Sequence, residues 1–196
     1  MPERLRNPIR IAAAVLLGSC ILSAHAQDLV LRLDPAATRA EFKLDATAHS
    51  VEGSFALKRG EIHFDPASGK VNGEIVFDAR SGQSGNDRRD RKMHKEVLQS
   101  EQYPEITFRP DKVEGAVALQ GPSKVQIHGI FGIHGAEHEL TAAVQIDASP
   151  EKWTGDVQFV VPYVQWGMKN PSVFLLRVGT SVDIDLRFTA IVSRPQ

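Results

Sequence analysis

A chain of 196 residues with 42% hydrophobic and 24% charged content has an ordinary globular composition and enough length for one domain with a full core. A formal net charge of -1 excludes the basic footprint of a nucleic-acid-binding protein. The only cysteine, Cys20, excludes an internal disulfide framework.

Arg4, Arg6 and Arg10 precede the apolar run Ile11 to Leu22, which ends in Ala24-His25-Ala26 before Gln27. This is the layout of a cleavable secretory signal, and the run is shorter than the about 20 apolar residues that a membrane-spanning helix needs. Cleavage after Ala26 is expected, so that residues 1–26 form the signal peptide and 27–196 a single domain without cysteine. Leu17-Gly18-Ser19-Cys20 also resembles a lipoprotein signal acylated at Cys20, but Ile21 and Leu22 fit better inside a removed segment, so acylation ranks second. Export predicts a periplasmic protein where the source has an outer membrane.

From Arg39 the apolar residues Ala40, Phe42, Leu44 and Ala46 alternate with Glu41, Lys43 and Asp45, the period-two pattern of a half-buried antiparallel strand. Phe55 and Leu57 continue the pattern. Gly60 is expected to turn the chain before Ile62 and Phe64, and Asp65-Pro66-Ala67-Ser68-Gly69-Lys70 reads as a second turn. Val71, Gly73, Ile75, Phe77 and Ala79 form the next strand, followed by a polar loop from Ser81 to Asn86.

The segment Gly85 to Phe108 interrupts this alternation. Asp87 is placed to cap a short helix, Asp90 lies in its positively polarised first turn, and Met93 and Val97 share a face at i, i+4 spacing. Its Arg88, Arg89, Arg91, Lys92 and Lys95 read on charge alone as a solvated face. Pro104 pushes Tyr103 toward extended geometry, and Ile106 and Phe108 point the same way on the following strand.

Strands then resume. Val113 to Leu119 alternates, Gly121-Pro122 is expected to turn, and Val125 to Ile133 alternates up to Gly135. Leu140 to Ile146, Trp153 to Val161 and Val182 to Ala190 follow, the last two separated by an irregular piece from Tyr163 to Ser172. Short strands joined by short turns favour antiparallel pairing and exclude a doubly wound fold. So long a sheet must close into a barrel or split into a sandwich, and periodicity leaves the two open.

The run Gly85-Asn86-Asp87-Arg88-Arg89-Asp90, with Met93-His94 and Tyr103-Pro104-Glu105-Ile106-Thr107-Phe108, resembles the signature of the YceI-like family of polyisoprenoid-binding periplasmic proteins. The similarity extends from Arg39 to Val192 through Gly53-Ser54-Phe55, Ile62-His63-Phe64-Asp65-Pro66, Ile127-His128-Gly129 and Ile133-His134-Gly135. Ala136-Glu137-His138-Glu139 is more acidic than the family's usual continuation, and the loop Trp166 to Pro171 is longer than in its shortest members. The resemblance implies an all-β fold, an antiparallel, extended lipocalin-like barrel of about eight strands with a short helix near one mouth. Such a barrel is just wide enough to be packed solid or to hold one ligand.

The inward phase alone would suit a solid core equally well. Ala40, Gly73, Ala79, Ala142 and Gly155 are expected to leave room beside its rings. With the resemblance, the lumen is implied to be an apolar tunnel for an isoprenoid lipid, a polyprenyl pyrophosphate or a polyprenyl quinone. Phe42, Leu44, Phe55, Phe64, Ile75 and Phe77 would contact the tail, together with Phe108, Ile127, Val157, Phe159 and Phe188. At the mouth, Arg89, Arg91, Lys92 and His94 of the helix and Trp166, Lys169 and Asn170 of the irregular loop are candidates for the head group. Neither a cofactor nor a resident metal is expected. Transient membrane contact and a homodimer are both compatible with this reading.

His134-Gly135-Ala136-Glu137-His138 matches the H-x-x-E-H string of some zinc peptidases, which requires a helix. Along a strand, four residues span about 13 Å, too far for one zinc. Gly132 and Gly135 make the string read as a hairpin turn instead. A metal-dependent hydrolase using His134, Glu137 and His138 therefore stands as the alternative, beside a packed barrel that serves only as a partner-binding surface. Ser84 lacks a nucleophile-elbow setting, and Asp183 and Asp185 occupy a wet strand face. A binding protein is expected, not an enzyme.

Overall fold

Alternating runs become strands here because each can bury one side against the same interior. The computed structural model describes residues 28–194 except Ala48 and Leu175. Its strands are β1 (Leu29–Leu33), β2 (Arg39–Leu44), β3 (Val51–Phe55), β4 (Leu57–Phe64), β5 (Val71–Asp78), β6 (Glu105–Glu114), β7 (Gly121–Ile133), β8 (Ala136–Ala148), β9 (Lys152–Val161) and β10 (Val182–Ser193). A 3-10 turn at Ala79–Ser81 and the helix α1 (Asp87–Lys92), which continues as a π turn over Met93–Leu98, lie between β5 and β6.

Hydrogen bonding runs β1-β4-β5-β6-β7-β8-β9-β10 and returns to β1, which closes the sheet. The twelve residues of β10 are bordered by β1 at Ala190 to Ser193 and by β2 at Asp183 to Arg187. β3 and β4 are separated only by Ala56, and they pair with β2 and β1 respectively. The ten strands therefore make a closed antiparallel barrel of eight ribbons, in which the outer side of β3 is met only by a single bridge from Ser54 to Gln83. This is the barrel implied by the family resemblance, with its short helix.

Several local expectations change. The strand β1 had no alternating signature, because Leu29, Val30, Leu31 and Leu33 are all buried. Gly60 does not turn the chain; it lies within β4, where a Cβ would come within 3.0 Å of Leu33 Cβ. Gly121 and Pro122 open β7, and the strand expected from Val113 to Leu119 ends at Glu114. Pro110 fits inside β6 because the register slips between Pro110 and Lys112, a bulge that spares the missing N–H. The helix is capped one residue earlier than expected, by Asn86, whose side chain accepts a hydrogen bond from Arg89 N at 3.1 Å.

The interior divides in two. One half is packed solid by Leu29, Leu31, Leu57, Phe64, Val144 and Trp153, with the Phe64 and Trp153 rings edge to face at 6.1 Å. In the other half Val97 and Leu98 of the π turn pack with Ile106, Phe131, Ile133 and Met168. Two small residues do not create the room expected of them. Gly155 lies under the ring of Phe188, and at Gly73, with φ +127°, a Cβ would collide with the Glu61 carbonyl.

Candidate ligand-binding site

The helix is fastened to the preceding loop through one serine. Arg89 donates from Nε to Ser84 Oγ and from Nη2 to the Ser84 carbonyl, both at 2.7 Å. Ser84 in turn donates to Asp90 Oδ1 from its backbone N at 3.0 Å and from its hydroxyl. Burial pushes the Asp90 carboxyl up, but the Ser84 hydrogen bonds and the charge of Arg89 outweigh it and hold the pKa below the usual aspartate value. His94 pins the other end of the helix. Its Nε2 meets the Gly82 carbonyl at 2.8 Å, which can only accept, so this nitrogen donates and Nδ1 faces the Ser100 hydroxyl at 3.0 Å.

Across the barrel end, the irregular loop from Tyr163 is held by the same helix. Lys92 Nζ donates to the Pro171 carbonyl at 2.8 Å, and Lys169 Nζ pairs with Glu96 at 2.7 Å, which keeps the Glu96 carboxyl below its usual range. Tyr163 donates its hydroxyl to the Gly179 carbonyl at 2.7 Å. Trp166 stacks on His138, with ring centroids 4.1 Å apart and planes 4° apart, and also touches the Phe131 ring. Burial pushes the His138 imidazole pKa down, and its Nε2 is buried without a partner.

Between helix, loop and strands lies a cavity of about 590 Å³, within the roughly 300–1,000 Å³ range of small-molecule sites. Its walls come from β2, β3, β5, β6, β7, β9 and β10, from Met93, Val97 and Leu98, and from the segment Tyr163 to Val178. β1, β4 and β8 contribute no lining residue to it. Its polar lining comes from the helix and its leading loop, Ser84, Asn86, Arg88, Arg89 and Lys92, with His49 and Tyr163. No Asp or Glu is among the lining residues, so the charge presented to an occupant is positive.

The comparisons with known proteins bear on this arrangement. The family model described as the YceI-like domain matches residues 31–190. The chain belongs to the YceI-like family. Solved structures similar to this YceI-like barrel include BcnA of Burkholderia cenocepacia, at 17% identity and a TM-score of 0.65, covering 80% of this chain and 98% of that one. A polyisoprenoid binding domain from Saccharophagus degradans implicated in plant cell wall breakdown is similar at 14% identity and a TM-score of 0.65, covering 83% and 98%. The YCEI protein of Campylobacter jejuni matches at 14% identity and a TM-score of 0.55, covering 78% and 82%. At these identities the likeness shows the fold. No curated protein matches the sequence.

In this YceI-like barrel, Phe42, Leu44, Phe55, Phe77 and Phe159 line the cavity, whereas Phe64, Ile75, Phe108, Ile127, Val157 and Phe188 do not. Phe64 and Val157 belong to the packed half, with Ile75, Ile127 and Phe188 packed against it, and the Phe108 ring is laid over Gly129. Inward phase identifies both groups alike; only the division of the interior separates them. Among the mouth candidates Arg89 and Lys92 line the cavity. Arg91 is exposed, His94 and Asn170 hold backbone carbonyls, Lys169 pairs with Glu96, and Trp166 covers His138.

Sequence reasoning read Arg88 only as part of a solvated face, whereas it lines the cavity and has no ion pair among the described residues. That reasoning overlooked Met168, Pro171, Val173, Leu176 and Val178, which come from a segment without periodicity and so carried no signal. Phe131, Ile133, Ile184 and Leu186 were visible in the alternating phase.

The side chains of the H-x-x-E-H string do not converge on one point. His134 and Gly135, with φ +53° and +74°, make the two-residue link between β7 and β8. His134 packs on Tyr103, Glu137 pairs with Arg109 at 2.6 Å, and His138 lies under Trp166, so the three side chains have separate partners. Among the described residues no three of His, Cys, Asp or Glu gather closely enough to hold a metal ion.

Proposed function

We propose that this protein binds a long-chain isoprenoid lipid, a polyprenyl pyrophosphate or a polyprenyl quinone, and acts as an extracytoplasmic carrier or buffer of it. The tail occupies the apolar cavity and the head stays beside Arg88, Arg89 and Lys92. The observation that carries this reading is a largely apolar cavity of about 590 Å³ whose only formally charged lining residues are the cations Arg88, Arg89 and Lys92. Tail burial contributes roughly 0.8 kcal/mol per methylene-sized group before chain ordering is subtracted, enough for the lipid to survive purification. The family membership and the likeness to a polyisoprenoid binding domain support the ligand class.

Gentle purification followed by organic extraction and mass spectrometry tests the assignment. A prenyl lipid in stoichiometric amount is the expected result, and protein that carries no prenyl lipid and takes none up would refute it. The exported location rests on residues 1–26, which lie outside the described residues. N-terminal sequencing of the secreted form should begin at Gln27, and a blocked, acylated Cys20 would overturn that assignment.

A further inference from the structure

One side of the cavity mouth ends in an apolar tip that faces water. Val173 N donates to the Leu176 carbonyl at 2.9 Å and Leu176 N to the Val173 carbonyl at 3.1 Å, so the turn is fastened at both ends. Val173, Phe174 and Leu176 are 52%, 95% and 56% exposed. The other exposed large hydrophobics among the described residues, Leu119 before β7, Val160 on β9 and Ile191 on β10, lie apart from one another in the chain. Scattered apolar residues are ordinary on a surface, whereas a contiguous apolar tip is not.

Two observations indicate what covers it. Val173 and Leu176 also line the cavity, so the outer tip and the inner wall form one continuous apolar surface. The same lining supplies Arg88, Arg89 and Lys92 without a carboxylate, and Arg177 directly follows the tip. A greasy projection with Arg177 next to it in the chain, and cations in the cavity it borders, complements a surface that is apolar inside and negatively charged at its rim.

We propose that the exposed tip formed by Val173, Phe174 and Leu176 inserts into a lipid bilayer bearing anionic head groups and seats the mouth of the cavity on the membrane. This rests on the lipid-binding reading of the cavity. A prenyl tail drawn through water exposes each methylene in turn, and a mouth seated on the bilayer removes that step.

Flotation with phosphatidylglycerol–phosphatidylcholine vesicles, compared with vesicles of phosphatidylcholine alone, tests the proposal on the wild type and Phe174→Asp. Phe174 lies outside the cavity lining, so binding of geranylgeranyl pyrophosphate, measured separately, reports on the cavity in both proteins. The wild type should float with the anionic vesicles and less with neutral ones or at high salt. Phe174→Asp should bind the anionic vesicles about tenfold more weakly or worse, with prenyl binding retained. A wild type that does not float, or a variant that floats equally well, overturns the proposal. A concentration-dependent dimer that Phe174→Asp abolishes, without flotation, also overturns it and assigns the tip to a second copy of the chain. A wild type that floats but binds no prenyl pyrophosphate upholds insertion and refutes the cavity reading.

Discussion

Three aromatic rings of the barrel strands are laid over glycines on the neighbouring strand: Phe42 over Gly53, Phe108 over Gly129 and Phe188 over Gly155. Each ring covers backbone that the glycine leaves bare, and each glycine lets the ring lie flat. At Gly155 a Cβ would come within 2.6 Å of both the Phe188 ring and the Gln145 carbonyl. Gly155→Ala should therefore destabilise the barrel by about 1–3 kcal/mol in urea titration, and an unchanged midpoint would show that the ring has somewhere else to go. The His138 and Trp166 stack makes a pH-dependent prediction. Burial depresses the folded-state pKa of His138, so its stabilising contribution is whole above about pH 6.5, the unfolded value, and is lost as pH falls toward the folded value. His138→Phe keeps a ring under Trp166 and removes the proton. Its thermal midpoint should fall less steeply than the wild type's over that window, whereas parallel curves would sink the argument.

At the scale of elements, the helix and the irregular loop form one device. Ser84, Arg89 and Asp90 set where the helix starts, His94 sets how it lies against Gly82, and Lys92 and Lys169 tie it to the loop. Three of the cations expected to meet a head group, Arg89, Lys92 and Lys169, thus also have structural partners, which leaves Arg88 as the lining cation with neither a side-chain hydrogen bond nor an ion pair among the described residues. Arg88→Ala should weaken a prenyl pyrophosphate about tenfold, the scale of one charge-assisted hydrogen bond, while leaving a neutral prenyl alcohol unaffected. Equal losses for both ligands, measured by competition binding, would show that Arg88 shapes the wall instead of meeting the charge. The helix was readable from the sequence because its cap, first-turn acid and i, i+4 pair are all local. The loop was not, since Met168, Val173 and Leu176 reach the cavity only through contacts made elsewhere.

At the scale of the whole molecule, the described residues pack one half of the barrel and line a cavity in the other, so the proposed ligand is expected to enter from the cavity end. Each added isoprene unit should strengthen binding only until the cavity is full, because the remainder of the chain stays outside. Affinity measured across a series of prenyl pyrophosphates should rise and then level off. A rise that continues through the longest chains would imply a passage through the packed half, past Phe64 and Trp153.

The amino-acid sequence by itself determined the antiparallel strands, the helix and the apolar phase of the wall, because each depends on spacing between near neighbours. It also carried the family resemblance. Barrel closure was decided only in three dimensions, where β10 meets β1 and β2 end to end and the continuous apolar run of β1 finds cover on both faces. The division of the interior was decided there too. Phe64 and Phe55 share an inward phase, and only the packing of residues distant in sequence sends one ring into solid core and leaves the other facing empty space.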